Sequence, residues 1–337
     1  MVRVADTDRS TRTSAGPTRR TGVSALSPVD LEQAAAFLQA YSDRPAAPVA
    51  LVIAAYNEEA SVGGVVTAVP RELCGLQTEV IVVVDGACDA TADAARKAGA
   101  LVCDVPVNRG QGAALRLGYR LAREGGAQYI ITTDADGQYN PAEMDAVLRP
   151  VVDGRADFVT GSRKLGSQET NDPVRRLGTW VFAVTISLLT GQRITDSSFG
   201  LRAMRAEVTG AIRLEQPQYQ SSELLIAVLT HGFRVAEVPA TIHKRKVGES
   251  KKGHNAIYGL KYAGVVLGTW WRERQRRVPG SGRVASSLAG TRPGERSAAL
   301  SDHADPFTRA PEPAAANGSE PLPSPAAAAD GMPPAAD

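Results

Sequence analysis

The stretch Ile131–Pro141, "ITTDADGQYNP", closes an apolar, β-branched run with Asp134 and Asp136 one residue apart and puts Gln138 two residues further on. Alternate residues of an extended chain share a face, so the two carboxylates point the same way. Like charges that close repel unless a cation or a basic group stands between them. Oxygen-only donors suit Mg²⁺ or Mn²⁺, and the Gln138 amide oxygen offers a third hard ligand. The plainer alternative is a polar turn in which Asn140 caps the next helix and Pro141 takes its first position. That cap accounts for Asn140 and Pro141 but for neither aspartate.

Two other loops repeat the layout. In "AAYNEEA", Tyr56, Asn57 and Glu58 follow a strand, and Asn57 is expected to cap a helix whose first turn carries Glu58 and Glu59. In "VVVDGACDAT", Asp85 ends a strand, Gly86 turns the chain and Asp89 caps, which leaves Asp85 as the functional candidate. Basic residues gather in "HKRKVGESKKGH" around Gly248 and Gly253, a composition suited to a mobile anion-binding lid, with a solvated loop as the alternative. No aromatic residue interleaves with them, which argues against single-stranded nucleic acid as the partner. His231, His243, His254 and His303 assemble no triad, so a hydrolase with an activated nucleophile has no support.

The elements that must position these residues alternate along the chain. "VALVIAAY" precedes a helical pattern over Glu58–Ala68, "EVIVVVD" one over Ala90–Ala98, "ALVCDV" one over Gly112–Glu124, and "QYIITTD" one over Pro141–Val152; "ADFVTGS" follows. Strands this apolar are buried on both faces, so the chain is α/β, with a mostly parallel sheet covered by helices on both sides. Ligands of such sheets bind beyond the carboxyl ends of the strands, where the candidate residues fall. No GxGxxG follows the first strand and no GxxxxGK[ST] occurs, which disfavours a dinucleotide dehydrogenase and a P-loop NTPase.

Composition sets the limits. Of 337 residues, positions 1–47 are rich in Arg, Thr, Ser and Pro and are expected to be mostly disordered apart from one helical stretch, "SPVDLEQAAAFLQAYS". Ten of the 21 prolines lie in 278–337, a Pro/Ala-rich tail for which no packed core is expected. Between them, 48–242 reads as one domain and 243–277 as a basic loop and an amphipathic helix. A formal charge of +2 does not argue for nucleic acid. Cys74, Cys88 and Cys103 show no CxxC spacing, which fits a reducing cytoplasm. The basic start has no apolar signal core, and the apolar runs at Leu177–Thr190 and Tyr262–Trp271 fall short of the roughly 18 residues a membrane span needs. Trp270 and Trp271, followed by Arg272, Arg274, Arg276 and Arg277, suit a helix lying against anionic headgroups, or equally one packed on the protein. "RRLGTWVFAVTISLLTG" has the same parts in reverse, and the two could flank a groove for a lipid chain.

Taken in order, "VIAAYNEEASVGGVV", "VIVVVDGACDAT", "VNRGQGAALRLGYRLA", "TTDADGQYNP", "FVTGSR", "TDSSFGLRAMR" and "HGFRVAEVPATIHKRKVGESK" resemble the family-2 glycosyltransferases of GT-A fold, and within them the dolichyl- or polyprenyl-phosphate mannose and glucose synthases. The resemblance implies an inverting hexosyltransferase that moves a sugar from a nucleotide sugar, of GDP-mannose or UDP-glucose type, to a polyprenyl phosphate. It implies a nucleotide site at Ala54, Tyr56, Glu58, Asp85 and Asp134, and a Mg²⁺ or Mn²⁺ site at Asp134, Asp136 and Gln138. Asp136, Arg163 and Arg202 would be catalytic, with Arg163 and Arg202 meeting acceptor phosphate beneath a lid carrying Arg245 and Lys251. Ala54 and Val84 stand where the family usually has proline and aspartate, which leaves the base open. The expected setting is the inner face of the cell membrane, with a membrane subunit or a second copy as partner. A soluble transferase with a water-soluble acceptor and a non-catalytic nucleotide-sugar binder are the alternatives.

Overall fold

The computed structural model describes residues 27–169, 173–244 and 255–276. The readings made for Arg245, Lys251 and the sequence before residue 27 or after residue 276 lie outside them.

Helix α1 (Pro28–Ala40) begins where its first residues require. The Ser27 hydroxyl accepts from the Asp30 amide, the Asp30 carboxylate accepts from the Ser27 amide, and Pro28 sits where no N–H is needed. Its Ala34 and Phe37 are buried, and Tyr41 just beyond it accepts the Val102 amide on its hydroxyl at 3.2 Å.

Then β1 (Val49–Ala55) leads to α2 (Glu59–Ala68), and β2 (Glu72–Leu73) turns back on β3 (Leu76–Asp85), which leads to α3 (Thr91–Lys97). Next come β4 (Leu101–Val105), α4 (Gln111–Glu124), β5 (Tyr129–Asp134), a 3-10 turn at Pro141–Glu143 and α5 (Met144–Val152). The second half comprises β6 (Phe158–Gln168), α6 (Pro173–Thr190), β7 (Arg202–Arg205), α7 (Ala206–Ala211), α8 (Gln220–Thr230), β8 (Val235–Ile242) and α9 (Asn255–Arg276).

Among the described residues these strands form one eight-stranded sheet, in which β2 and β4 both pair with β3 and the path continues β3-β1-β5-β7-β6-β8. β1, β3, β4 and β5 are parallel, as are β6 and β8. Besides the short β2, which pairs antiparallel with β3, the departure from the parallel pattern is β7, which runs antiparallel to both β5 and β6 and brings Arg202 opposite Thr132 and Thr160.

Alternation along the strands builds two apolar layers. Ala50 and Val52 join Ile81, Val83, Leu117 and Leu224 on one face, while Val49, Leu51 and Ile53 join Val82, Val84 and Leu148 on the other. Helices therefore cover both faces, which is why the strands read as unbroken apolar runs.

α4 approaches the sheet so closely that a Cβ on Gly118 would overlap Val52 Cγ1 and come within 3.3 Å of Val83 Cγ2. Gly118→Ala should thus lower stability, because overpacking a strand-locked valine costs about 1–3 kcal/mol against a helix-propensity gain of at most about 1 kcal/mol. Urea unfolding measures this, and an unchanged or raised midpoint would contradict the packing described.

Candidate active site

The loops at the carboxyl ends of β1, β3, β4 and β5 meet on one edge of the sheet. Asn57 does not cap α2 as its sequence context suggested. It adopts a left-handed backbone (φ 51°) and its Oδ1 accepts the Cys88 amide at 2.8 Å, bracing the β1 loop on the β3 loop. The start of α2 takes its acceptors from that neighbouring loop instead: Thr91 Oγ1 accepts the Glu58 amide (2.9 Å) and Asp89 the Glu59 amide (3.2 Å). Asp89 is structural, as expected, but it serves two helices, since it also accepts the Thr91 amide at 3.1 Å. Glu58 accepts from Ser61 Oγ at 2.8 Å, and the Tyr56 ring is exposed at the loop's rim. Ala54 lies beside Asp134 by the β1–β5 register.

Asp85 is only 2% exposed, and its oxygens are engaged. Oδ2 accepts the amides of Arg109 (2.8 Å) and Gly110 (2.7 Å), and Oδ1 accepts Arg109 Nε at 3.0 Å. Burial pushes its carboxyl up from the usual range, while these two amides and Arg116 pull it back. A Cβ on Gly86 would overlap the Asn108 backbone, so the turn after β3 and the loop before α4 are pressed together. Asp85 thus holds the 108–110 loop.

That loop delivers Gln111, the first residue of α4, whose Nε2 donates to Asp134 Oδ1 at 3.1 Å. On the other side, a Cβ on Gly200 would lie 2.9 Å from Asp134 Oδ2 and 2.7 Å from Tyr139 Oη, so only glycine lets the backbone pack this closely on the two side chains. Asp136, 8% exposed, accepts the Gln138 amide at 3.1 Å across a turn in which Gly137 is left-handed (φ 70°). Gln138 spends its side-chain nitrogen on the His243 carbonyl (2.9 Å), which leaves the amide oxygen as the atom it can offer. Asn140 caps the turn at Pro141 as expected, accepting the Ala142 amide at 3.1 Å. Among the described residues no three His, Cys, Asp or Glu side chains gather into a closed metal cage.

The two arginines differ sharply. Arg163 is committed: Nε donates to Asp196 at 2.6 Å, Nη2 to Ser198 at 3.1 Å, and the guanidinium lies 5.7 Å from the centre of the Phe199 ring. Asp196 is fixed in turn, because Glu237 accepts the amides of Thr195 and Asp196. Arg202 is 3% exposed, and its guanidinium makes no hydrogen bond or ion pair with a described residue. Burial lowers its pKa, against the opposing influence of Tyr119, Tyr139, Asp134 and Tyr262. The three phenols are themselves raised by burial, Tyr119 to about 12, so all stay protonated near neutrality. Tyr119, Asp196 and Tyr262 were not singled out by sequence reasoning. Only Asp196, an acid within an arginine-containing motif, left a signal that could have been followed.

Arg272, read from its basic run as a headgroup contact, faces inward. It pairs with Glu223 (2.8 Å), Glu273 (2.9 Å) and Glu215 (3.1 Å), and Glu223 and Glu273 are at most 1% exposed. Trp270 also turns in, donating its indole N–H to the Leu189 carbonyl at 2.8 Å, whereas Trp271 is 59% exposed. On α6 the exposed side chains Leu177, Trp180, Val181, Val184 and Leu188 recur at helical spacing and form an apolar stripe. The Phe182 and Tyr262 rings meet between α6 and α9 with centres 4.0 Å apart and planes tilted by 47°. No described helix is long and apolar enough to cross a membrane.

Comparison with known proteins agrees with this geometry. The sequence model described as glycosyl transferase family 2 matches residues 50–213. The chain is 34% identical to the dolichyl-phosphate hexose transferase of Haloferax volcanii, over 60% of this chain and 85% of that protein. It is 31% identical to the undecaprenyl-phosphate mannosyltransferase of Micrococcus luteus, over 65% of this chain and 92% of that one. Its fold is similar to the Mycobacterium tuberculosis glucosyl-3-phosphoglycerate synthase crystallised with Mg²⁺ and uridine diphosphate (TM-score 0.52, 18% identity, 71% of this chain and 83% of that chain). With loops that converge at the strand ends, paired aspartates after β5 and these relatives, the chain belongs to glycosyl transferase family 2, has the GT-A fold and resembles the polyprenyl-phosphate sugar synthases.

Proposed function

We propose that this protein is an inverting, metal-dependent hexosyltransferase that moves a sugar from a nucleotide sugar to a polyprenyl phosphate at the cytoplasmic face of the membrane. The observation that carries this reading is the buried Arg202 beside Asp134. A guanidinium held out of water without a bonded anion keeps its field for one that arrives, and a phosphate monoester is the natural match. Such an acceptor needs no general base, because with a second pKa of about 6 it is already largely dianionic near neutral pH. Attack by its oxygen on the anomeric carbon, with departure of the nucleoside diphosphate, is a single displacement and inverts that centre.

The donor set suits a divalent cation, since the atoms that would ligate it are hard oxygens. Asp134, Asp136 and Gln138 would hold the ion, which when bound supplies positive charge to stabilise the leaving diphosphate. Tyr56 and Glu58 would face the nucleoside. Asp85 would act on the nucleotide through the 108–110 loop, and Arg163, fixed by Asp196, would shape the acceptor side. The α6 stripe with Leu267 and Trp271 supports a membrane surface as partner, since exposed apolar residues at helical spacing bury themselves at the headgroup boundary.

Asp136→Asn should reduce turnover by about 100-fold or more with the fold retained, because one charge is lost from a two-carboxylate site of unchanged shape. Initial rates with circular dichroism check it; wild-type turnover in excess chelator would refute the metal requirement.

Arg202→Met, which keeps most of the buried stem, should raise KM for a short polyprenyl phosphate or lower turnover by about tenfold or more, since a charge-assisted phosphate contact is worth roughly 1.5–3 kcal/mol. The KM for the nucleotide sugar should move much less. Equal losses in both would contradict an acceptor role.

Trp180→Glu combined with Leu188→Glu should weaken binding to anionic vesicles by about tenfold or more, each site losing apolar burial worth about 1.5–3 kcal/mol. Cosedimentation measures this, and undiminished binding would remove α6 from the membrane contact.

A further inference from the structure

Asp30 lies outside residues 50–213, the region matched by the family model, yet it touches the nucleotide loop. Its Oδ2 accepts the Ser27 amide and hydroxyl, and its Oδ1 pairs with Arg109 Nη1. Arg109 faces Asp85 with its other nitrogens, Nε and Nη2, both at 3.0 Å from Oδ1. The contacts of Nη1 and Nη2 are ion pairs rather than aligned hydrogen bonds, so charge rather than direction holds them. Asp30 is 5% exposed and Asp85 2%. A cation enclosed between two such carboxylates is held far more firmly than a surface pair, and removing one carboxylate leaves it under-compensated in a poorly solvated place.

We propose that Asp30 is a positioning residue for nucleotide-sugar binding, acting through Arg109 and Asp85 on the loop that opens α4. The chain of contact is continuous. Asp30 and Asp85 clamp the Arg109 side chain; Asp85 receives the amides of Arg109 and Gly110; and the next residue, Gln111, donates to Asp134. The far side of the loop is pinned by the Gly112 amide, which donates to the Pro217 carbonyl at 2.9 Å. Arg116, a second cation near Asp85, is offset chiefly by Glu223 and Glu215, so loss of Asp30 removes one of the two carboxylates that hold Arg109. Arg109 must then draw closer to Asp85 or swing away, and either movement displaces the 109–110 amides.

This inference rests on the transferase reading only for its kinetic arm, so the experiment has two. Hydrogen–deuterium exchange on the full chain compares wild type, Asp30→Asn and Phe37→Leu; the last loosens α1 in the core without touching Arg109. In Asp30→Asn the amides of Arg109 and Gly110 should exchange at least about tenfold faster while those of β5 stay protected. Phe37→Leu should lower Tm yet leave the 109–110 amides as in wild type. In the kinetic arm, with whichever of UDP-glucose or GDP-mannose the wild type turns over in Mg²⁺, Asp30→Asn should raise the nucleotide-sugar KM about tenfold with the lipid-phosphate KM within about twofold. Unchanged exchange at Arg109 and Gly110, or equal effects of Asp30→Asn and Phe37→Leu, would overturn the proposal. Should Asp30→Asn not fold, Arg109→Lys, which keeps the charge but loses the fork, should give the same localised exchange. Wild type that turns over neither nucleotide sugar would refute the transferase reading while leaving the exchange arm to decide this one.

Discussion

A positive charge buried without a bonded anion among the described residues is the constraint around which this site is arranged. Arg202 is 3% exposed, and Tyr119, Tyr139 and Tyr262, which burial keeps protonated, act on it together with the Asp134 carboxylate. Such a cation is costly unless something compensates it. A carboxylate near the guanidinium offsets part of that cost, and an incoming phosphate would offset the rest. Asp134 acts on Arg202 through its charge, and Gln111 holds the Asp134 Oδ1.

The fold supplies this juxtaposition through one irregular choice. β7 enters between β5 and β6 in the antiparallel sense and sets Arg202 opposite Thr132, two residues before Asp134. Packing on both faces then removes the guanidinium from water. Around this centre the loops hold one another in place: the β1 and β3 loops through Asn57, Asp89 and Thr91, the β3 and β4 loops through Asp85 and Gly86, and the α4 entrance through Gln111. A parallel chain runs from Glu237 to the Asp196 loop and from Asp196 to Arg163. Fixed charges that need no reorganisation suit the proposed reaction, which calls on no acid–base residue.

How much of this could be read in advance follows from the range of each interaction. The β1, β3, β4 and β5 strands, their helices and the Asn140 cap are local patterns, apolar runs of strand length and a short-range side-chain bond, and they were legible. β7 is four residues long and carries no alternation, so its direction is a tertiary outcome that no local signal encodes. Asn57 failed as a cap because the acceptors for the start of α2 come from Asp89 and Thr91, about thirty residues away in sequence and adjacent only in the fold. Arg272 looked like part of a basic tail, yet the buried Glu223 on α8 draws it inward. Asp85 was recognised as more than a turn residue, but its partners on the 108–110 loop depend on how β3 and β4 pair.

The central claim is that catalysis here rests on placing an acceptor that already carries its charge. The most direct measurement compares initial rates for a short polyprenyl phosphate and the matching polyprenol, with the same nucleotide sugar and Mg²⁺. The account predicts transfer to the phosphate and a rate at least about a thousandfold lower for the alcohol, which would need a general base to take its proton and would leave Arg202 without its anion. Comparable rates with both acceptors would contradict it.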